Sequence, residues 1–68
     1  MQEYKAYFVA HYLKPLLQAA EVNVKDASYR EEDDRELVRL TYIDGSTEDI
    51  NVLWDSLIAI TRDVIKNL

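Results

Sequence analysis

Apolar residues recur through the first third of the chain with a helical period. Ala6, Val9, Ala10, Leu13, Leu16, Leu17 and Ala20 fall at i, i+3, i+4 and i+7, which predicts a helix over 3–20 with these residues inward. Pro15 interrupts it. Its ring has no N–H to donate and crowds the carbonyl of His11, at a cost of about 3 kcal/mol inside a helix. A kink, or two short helices meeting at Lys14-Pro15, is therefore expected. On the opposite arc Tyr4, Tyr7, Phe8 and His11 repeat at the same period, with Tyr12 beside the inner stripe.

From Glu21 the period changes to two. Val22 and Val24 alternate with Asn23 and Lys25, which predicts a strand over 21–30. Ala27 and Tyr29 lie on the other phase, so a bulge near Asp26 or an early strand end is expected. Glu31-Glu32-Asp33-Asp34 then reads as a solvated acidic loop, since adjacent carboxylates repel.

Two further strands are predicted over 36–43 and 46–53. Asp44-Gly45 marks the hairpin between them, with Gly supplying a positive φ. A two-residue loop would set Leu40 opposite Asp49 and bury polar groups. A three-residue loop, Ile43-Asp44-Gly45, pairs Tyr42 with Ser46, Arg39 with Asp49, Thr41 with Thr47 and Val38 with Ile50. That register keeps Val38, Leu40, Tyr42, Ile50 and Val52 on one face and Arg39, Thr41, Thr47, Asp49 and Asn51 on the other. A slip of one residue would invert a whole strand.

Asp55 or Ser56 is placed to cap a last helix over 56–67, with Leu57, Ile60, Thr61, Val64, Ile65 and Leu68 as its apolar stripe. The expected fold is α+β, a single two-layer domain over 1–68 in the order α-β-β-β-α. A three-stranded antiparallel meander carries both helices on one face. The expected core is Ala6, Val9, Leu13, Leu16, Leu17 and Ala20 from the first helix and Leu57, Ile60, Val64 and Ile65 from the last. The sheet adds Val22, Val24, Val38, Leu40, Tyr42, Ile50 and Val52, and Trp54 follows.

Composition narrows the classes. The chain has 68 residues, 49% of them hydrophobic and 31% charged, with one Gly, one Pro and no Cys. That length suits one small domain and few enzyme scaffolds. The lack of Cys removes disulfides and zinc–thiolate sites, and a single Gly removes a phosphate-cradling loop. The net charge of −5 disfavours direct binding to nucleic acid or to anionic lipid. The opening residues carry no basic run ahead of an apolar segment, and apolar runs stay far below the roughly 20 residues of a membrane span. A cytoplasmic protein without cofactor or metal is the expectation.

Candidate chemistry is sparse. His11 would need Ser28, Ser46 or Ser56 nearby, with an orienting acid, to form a nucleophile–base pair; the spacing supports none, and an exposed His beside Tyr7 and Phe8 is expected. The run Glu31–Asp34 lacks the alternating ligands and central Gly of a calcium loop. Asp44-Gly45-Ser46-Thr47 is accounted for by hairpin geometry. No catalytic residue is predicted, and the chain reads as non-enzymatic.

Two features stand out. The stripe Tyr4, Tyr7, Phe8, His11 with Tyr12 reads either as a helix buried on both sides, or rotated by Pro15, or as a contact surface for a second copy or a foreign partner. The contact surface is preferred, since Tyr and Phe are enriched at interface cores. A small chain has little material to cover two faces of one helix. Charge is also unevenly spread. Lys5 and Lys14 against Glu3 leave residues 1–20 at +1, residues 21–36 carry −4, residues 37–55 carry −3 and residues 56–68 carry +1. The acidity sits in the sheet and its loops, either for solubility or to occupy a basic groove.

The stretch Leu40-Thr41-Tyr42-Ile43-Asp44-Gly45-Ser46-Thr47-Glu48, with the capped helix Asp55-Ser56-Leu57 to Asp63-Val64-Ile65, resembles short uncharacterised proteins of bacterial prophages and conjugative elements. The order of elements is also similar to that of some phage-encoded inhibitors of CRISPR nucleases, an analogy of fold. The expected function is a small acidic interaction protein, a homodimer formed through the aromatic stripe. The alternative is an acidic inhibitor, mimicking nucleic acid, that binds a basic groove through Glu31, Glu32, Asp33 and Asp34.

Overall fold

The computed structural model describes residues 3–20 and 23–68. The N-terminal helix runs through α1 (Glu3–Phe8), a π-helical turn (Val9–Leu13) and α2 (Lys14–Ala20). The wide turn comes immediately before Pro15: the Lys14 N–H reaches back to the Val9 carbonyl. An i→i−5 turn at this point gives the ring the room that a regular turn denies it.

The same turn decides which face is buried. Residues four apart drift around a 3.6-residue helix. One wide turn absorbs the drift, so Lys5, Val9, Leu13 and Leu17 emerge as a single buried row. The expected stripe is corrected accordingly: Leu16, Ala10 and Ala20 are exposed and Ala6 is half-buried.

The sheet is β1 (Val24–Glu32), β2 (Arg35–Tyr42) and β3 (Thr47–Asn51), antiparallel in the order β1-β2-β3. The phase slip near Asp26 is a bulge between Val24 and Asp26. It turns Val24, Ala27 and Tyr29 to the same side, with Val24 and Ala27 buried. The expected strand start and core position at Glu21 and Val22 lie outside the described residues. At its other end β1 outlasts the expectation. Glu31 and Glu32 pair with Glu36 and Arg35, and the acidic run closes as a tight turn at Asp33-Asp34, with Asp33 at φ +54°. Asp tolerates that conformation, and Arg35 meets Glu32 across the ladder, which is why strand continues where a loop was expected.

The second hairpin follows the turn chemistry. Gly45 has φ +90°, its N–H bonds the Tyr42 carbonyl, and Tyr42 pairs with Ser46. Val38 faces Ile50, Arg39 faces Asp49 and Thr41 faces Thr47. β3 ends at Asn51, short of the expected 53, because the Asn51 side chain takes the Leu53 N–H at 2.9 Å and turns the chain.

Helix α3 (Leu57–Lys66) is capped by Ser56, whose hydroxyl accepts the Ala59 N–H. Ile60 and Val64 complete a core with Val9, Leu13, Leu17, Val24, Ala27, Val38, Leu40, Ile50 and Val52. Phe8, Tyr29, Tyr42 and Leu57 pack around it. Ile65 lies at the edge of the α3 stripe and is half exposed. Trp54 was expected inside, since it shares strand parity with Ile50 and Val52. It is 87% exposed, because β3 has already ended and the turn after it swings the residue outward.

Candidate functional site

The N-terminal helix presents its aromatic residues in rows beside the buried one. Tyr4, Phe8, Tyr12 and Leu16 form the row next to it, and Tyr7 and His11 the next. Tyr4, Tyr7 and Tyr12 are 57–60% exposed and Leu16 is 52% exposed. The rings touch one another. Tyr7 and His11 are 4.2 Å apart between centroids, and Tyr12 lies 6.0 Å from both Tyr7 and Phe8. Only Phe8 of the group also reaches the core. The opposite flank of the helix is tied to β1, with Lys14 Nζ 2.9 Å from Asp26 and Gln18 donating to the Lys25 carbonyl.

His11 is exposed on this aromatic face. The serines serve elsewhere: Ser28 opposes Arg39 on the outer sheet face, Ser46 donates to Asp44, and Ser56 caps α3. The four acidic residues also part company. Glu32 is bonded by Arg35 at 3.1 Å with Arg30 at 3.6 Å, while Glu31, Asp33 and Asp34 line a cleft of about 240 Å³ with Arg35, Glu36, Leu53 and Trp54.

A buried polar network lies behind that cleft. Lys5 is 4% exposed and Glu36 7%. Lys5 Nζ is 2.8 Å from Glu36 Oε1, and the Tyr29 hydroxyl donates to the same oxygen at 2.7 Å. The Trp54 backbone N–H is the least of the influences that favour the ionised Glu36 carboxyl. Chiefly the Lys5 hydrogen bond, then that of Tyr29, hold the Glu36 carboxyl below the usual carboxylate range. Burial, and then the Glu36 carboxylate, push Tyr29 well above the usual phenol range. Sequence reasoning missed this network, although Glu36 shares the inward parity of Val38 and Leu40.

Asp55 and Asp63 form a carboxyl pair. Burial first, then Asp63, raise Asp55, and the hydrogen bond with Asp55 holds Asp63 low. At the other end of the sheet a groove of about 510 Å³ is lined by Asn23, Tyr42, Ile43, Asp44 and Leu68. Its acid is already engaged, since Asp44 accepts both the Ser46 N–H and the Ser46 hydroxyl. No described helix is long and apolar enough to cross a membrane. No protein family, curated protein or solved structure matches the chain.

Proposed function

We propose that the chain is a non-enzymatic interaction protein that pairs with a second copy of itself through the aromatic face of its N-terminal helix. The observation that carries this reading is the cluster of exposed Tyr7, His11 and Tyr12 rings around half-buried Phe8, on a helix whose one carboxylate among the described residues, Glu3, stands at its N-terminal end. From Tyr4 to Ala20 the sequence holds no Asp or Glu, in a protein of net charge −5. Two copies of an acidic protein repel. Apposing this face brings together the surface of the chain that is poorest in carboxylates.

Area supports the same reading. Each tyrosine offers a little over half of the roughly 200 Å² of an aromatic side chain. With Leu16, Phe8 and His11 the face exposes on the order of 500 Å². Pairing two copies buries about 1,000 Å², the lower bound for a specific interface. The resemblance of residues 40–48 supports placing the protein in the cytoplasm of bacteria, among the small products of prophages or conjugative elements.

Sedimentation equilibrium tests the pairing. The expected mass is twice 8.0 kDa, falling to the monomer on dilution. Tyr7→Asp with Tyr12→Asp leaves the melting temperature of the monomer unchanged and abolishes the dimer. These two positions serve better than Phe8, which also touches the core. A wild-type chain that stays monomeric at high concentration overturns the proposal.

A further inference from the structure

Trp54 is displayed at a strained position. Val52 to Asp55 form a turn closed by the Asp55 N–H on the Val52 carbonyl at 3.0 Å. Trp54 is its third residue, with φ +68°. Gly or Asn ordinarily fills that place, and a bulky side chain there is strained. Little packing repays the strain, since the residue is 87% exposed. Glu36 holds the turn from behind. Its carbonyl accepts the Val52 N–H at 2.9 Å, while Lys5 and Tyr29 fix its carboxylate. The indole projects from a rigid mount.

In front of the mount lies the cleft of about 240 Å³ between this turn and the tip of the β1–β2 hairpin. Small-molecule sites run to about 300–1,000 Å³, so the space suits a side chain rather than a cofactor. Glu31, Asp33 and Asp34 supply negative charge along its wall. Arg35 is there too, but its guanidinium is bonded to Glu32 on the outer sheet face.

We propose that this cleft docks a basic, partly apolar segment of another protein, with an Arg or Lys seated between the indole of Trp54 and the carboxylates of Asp33 and Asp34. An indole face attracts cations, guanidinium above all, and the acidic rim complements them. Leu53, on the wall of the cleft, offers apolar contact to the neighbour of that cation. The occupant is foreign rather than a second copy: this chain has a net charge of −5 and no two adjacent basic residues, and six of its eight Lys and Arg side chains are already in ion pairs, with Lys25 and Lys66 each isolated in the sequence. The cleft is separate from the aromatic helix face and does not depend on self-pairing.

The test titrates the full chain into a labelled peptide of alternating arginine and leucine at low salt, followed by anisotropy. The control peptide has glutamate for arginine. The arginine peptide binds and the glutamate peptide does not. The unlabelled arginine peptide shifts the emission of Trp54, the single tryptophan. Trp54→Gly weakens binding by about tenfold or more. Its melting temperature is equal or higher, because Gly accepts the left-handed turn. Asp33→Asn with Asp34→Asn weakens binding and flattens its salt dependence; Asn tolerates the positive φ at residue 33. Tyr7→Asp with Tyr12→Asp keeps the peptide affinity, so loss of the dimer and loss of the cleft are told apart. Equal affinity for the two peptides, equal affinity of wild type and Trp54→Gly, or no binding at low salt overturns the proposal.

Discussion

Lys5–Glu36 and Arg39–Asp49 are ion pairs of nearly equal length, and their surroundings make them different objects. The Lys5 and Glu36 side chains are 5% and 9% exposed and meet at 2.8 Å, while Arg39 and Asp49 are 35% and 42% exposed and meet at 2.7 Å. The exposed pair has the better geometry, with Nε and Nη2 of Arg39 on the two carboxylate oxygens. Yet water screens it and already solvates both partners. The buried pair has left water, and its attraction mainly offsets that cost. What it supplies is position. It locks the start of the N-terminal helix to the start of β2, and through the Glu36 carbonyl, which accepts the Val52 N–H, it holds the turn that leads into α3.

The largest expected effect follows from that contrast. Glu36→Ala strands the Lys5 ammonium in the interior and is expected to cost about 3–5 kcal/mol, read by chemical denaturation. Lys5→Met with Glu36→Leu removes both charges and is expected to recover most of that loss. Recovery of stability without recovery of the wild-type Trp54 emission would separate the positional role from the energetic one. Acid probes the same pair. The folded carboxyl of Glu36 lies below its ordinary value of 4.5. Its contribution is therefore complete above that pH and is lost as pH falls through the lower folded value. Melting temperature should drop below pH 4.5 with a slope that Glu36→Gln reduces. Asp55 acts in the opposite sense: raised in the fold, it contributes while protonated and loses that contribution as pH rises through its folded value.

The two pairs also differed in how far the sequence revealed them. Arg39 opposite Asp49 followed from Asp44-Gly45 and from the cost of slipping Val38 off the inner face, both local rules. Lys5 could not be placed that way, because its burial depends on where the π turn sets the helix rows. Pro15 announced an irregularity without saying that it would be a wide turn that brings Lys5 into line with Val9. Glu36 opens the expected second strand with inward parity, but nothing local names the cation that would meet a carboxylate there. Trp54 was misplaced for a related reason. Alternation carried it inward, whereas Asn51 ended the strand with a side-chain hydrogen bond. The aromatic face was read from period alone; Tyr4, Tyr7 and Tyr12 are exposed, while Phe8 turns partly to the core.

Gly45→Val tests the local rules from the other side. A Cβ at residue 45 would meet nothing within 4 Å, so the penalty is confined to the backbone at φ +90°. A β-branched residue there is expected to cost about 1–2 kcal/mol. The register that aligns Arg39 with Asp49 is anchored by the core contacts of Val38 and Ile50 and should persist. Calorimetry gives the loss. An unchanged melting temperature would mean that the turn relaxes freely around the new side chain.

Arg39→Ala should produce the smallest change. The Arg39 guanidinium keeps Asp49 below the usual carboxylate range, mainly through its hydrogen bond. That stabilises the charged form of Asp49 at the surface without making the fold depend on it, because both residues lie on the open sheet face and water replaces the lost partner. The expected loss is a small fraction of that for Glu36→Ala, and it should shrink further in high salt. A double-mutant cycle with Asp49→Ala isolates the coupling from the packing of the Arg39 stem across β2 and β3. Coupling as large as that of Lys5 with Glu36 in a matching cycle would show that bidentate geometry outweighs burial, and the distinction between the two pairs would fall.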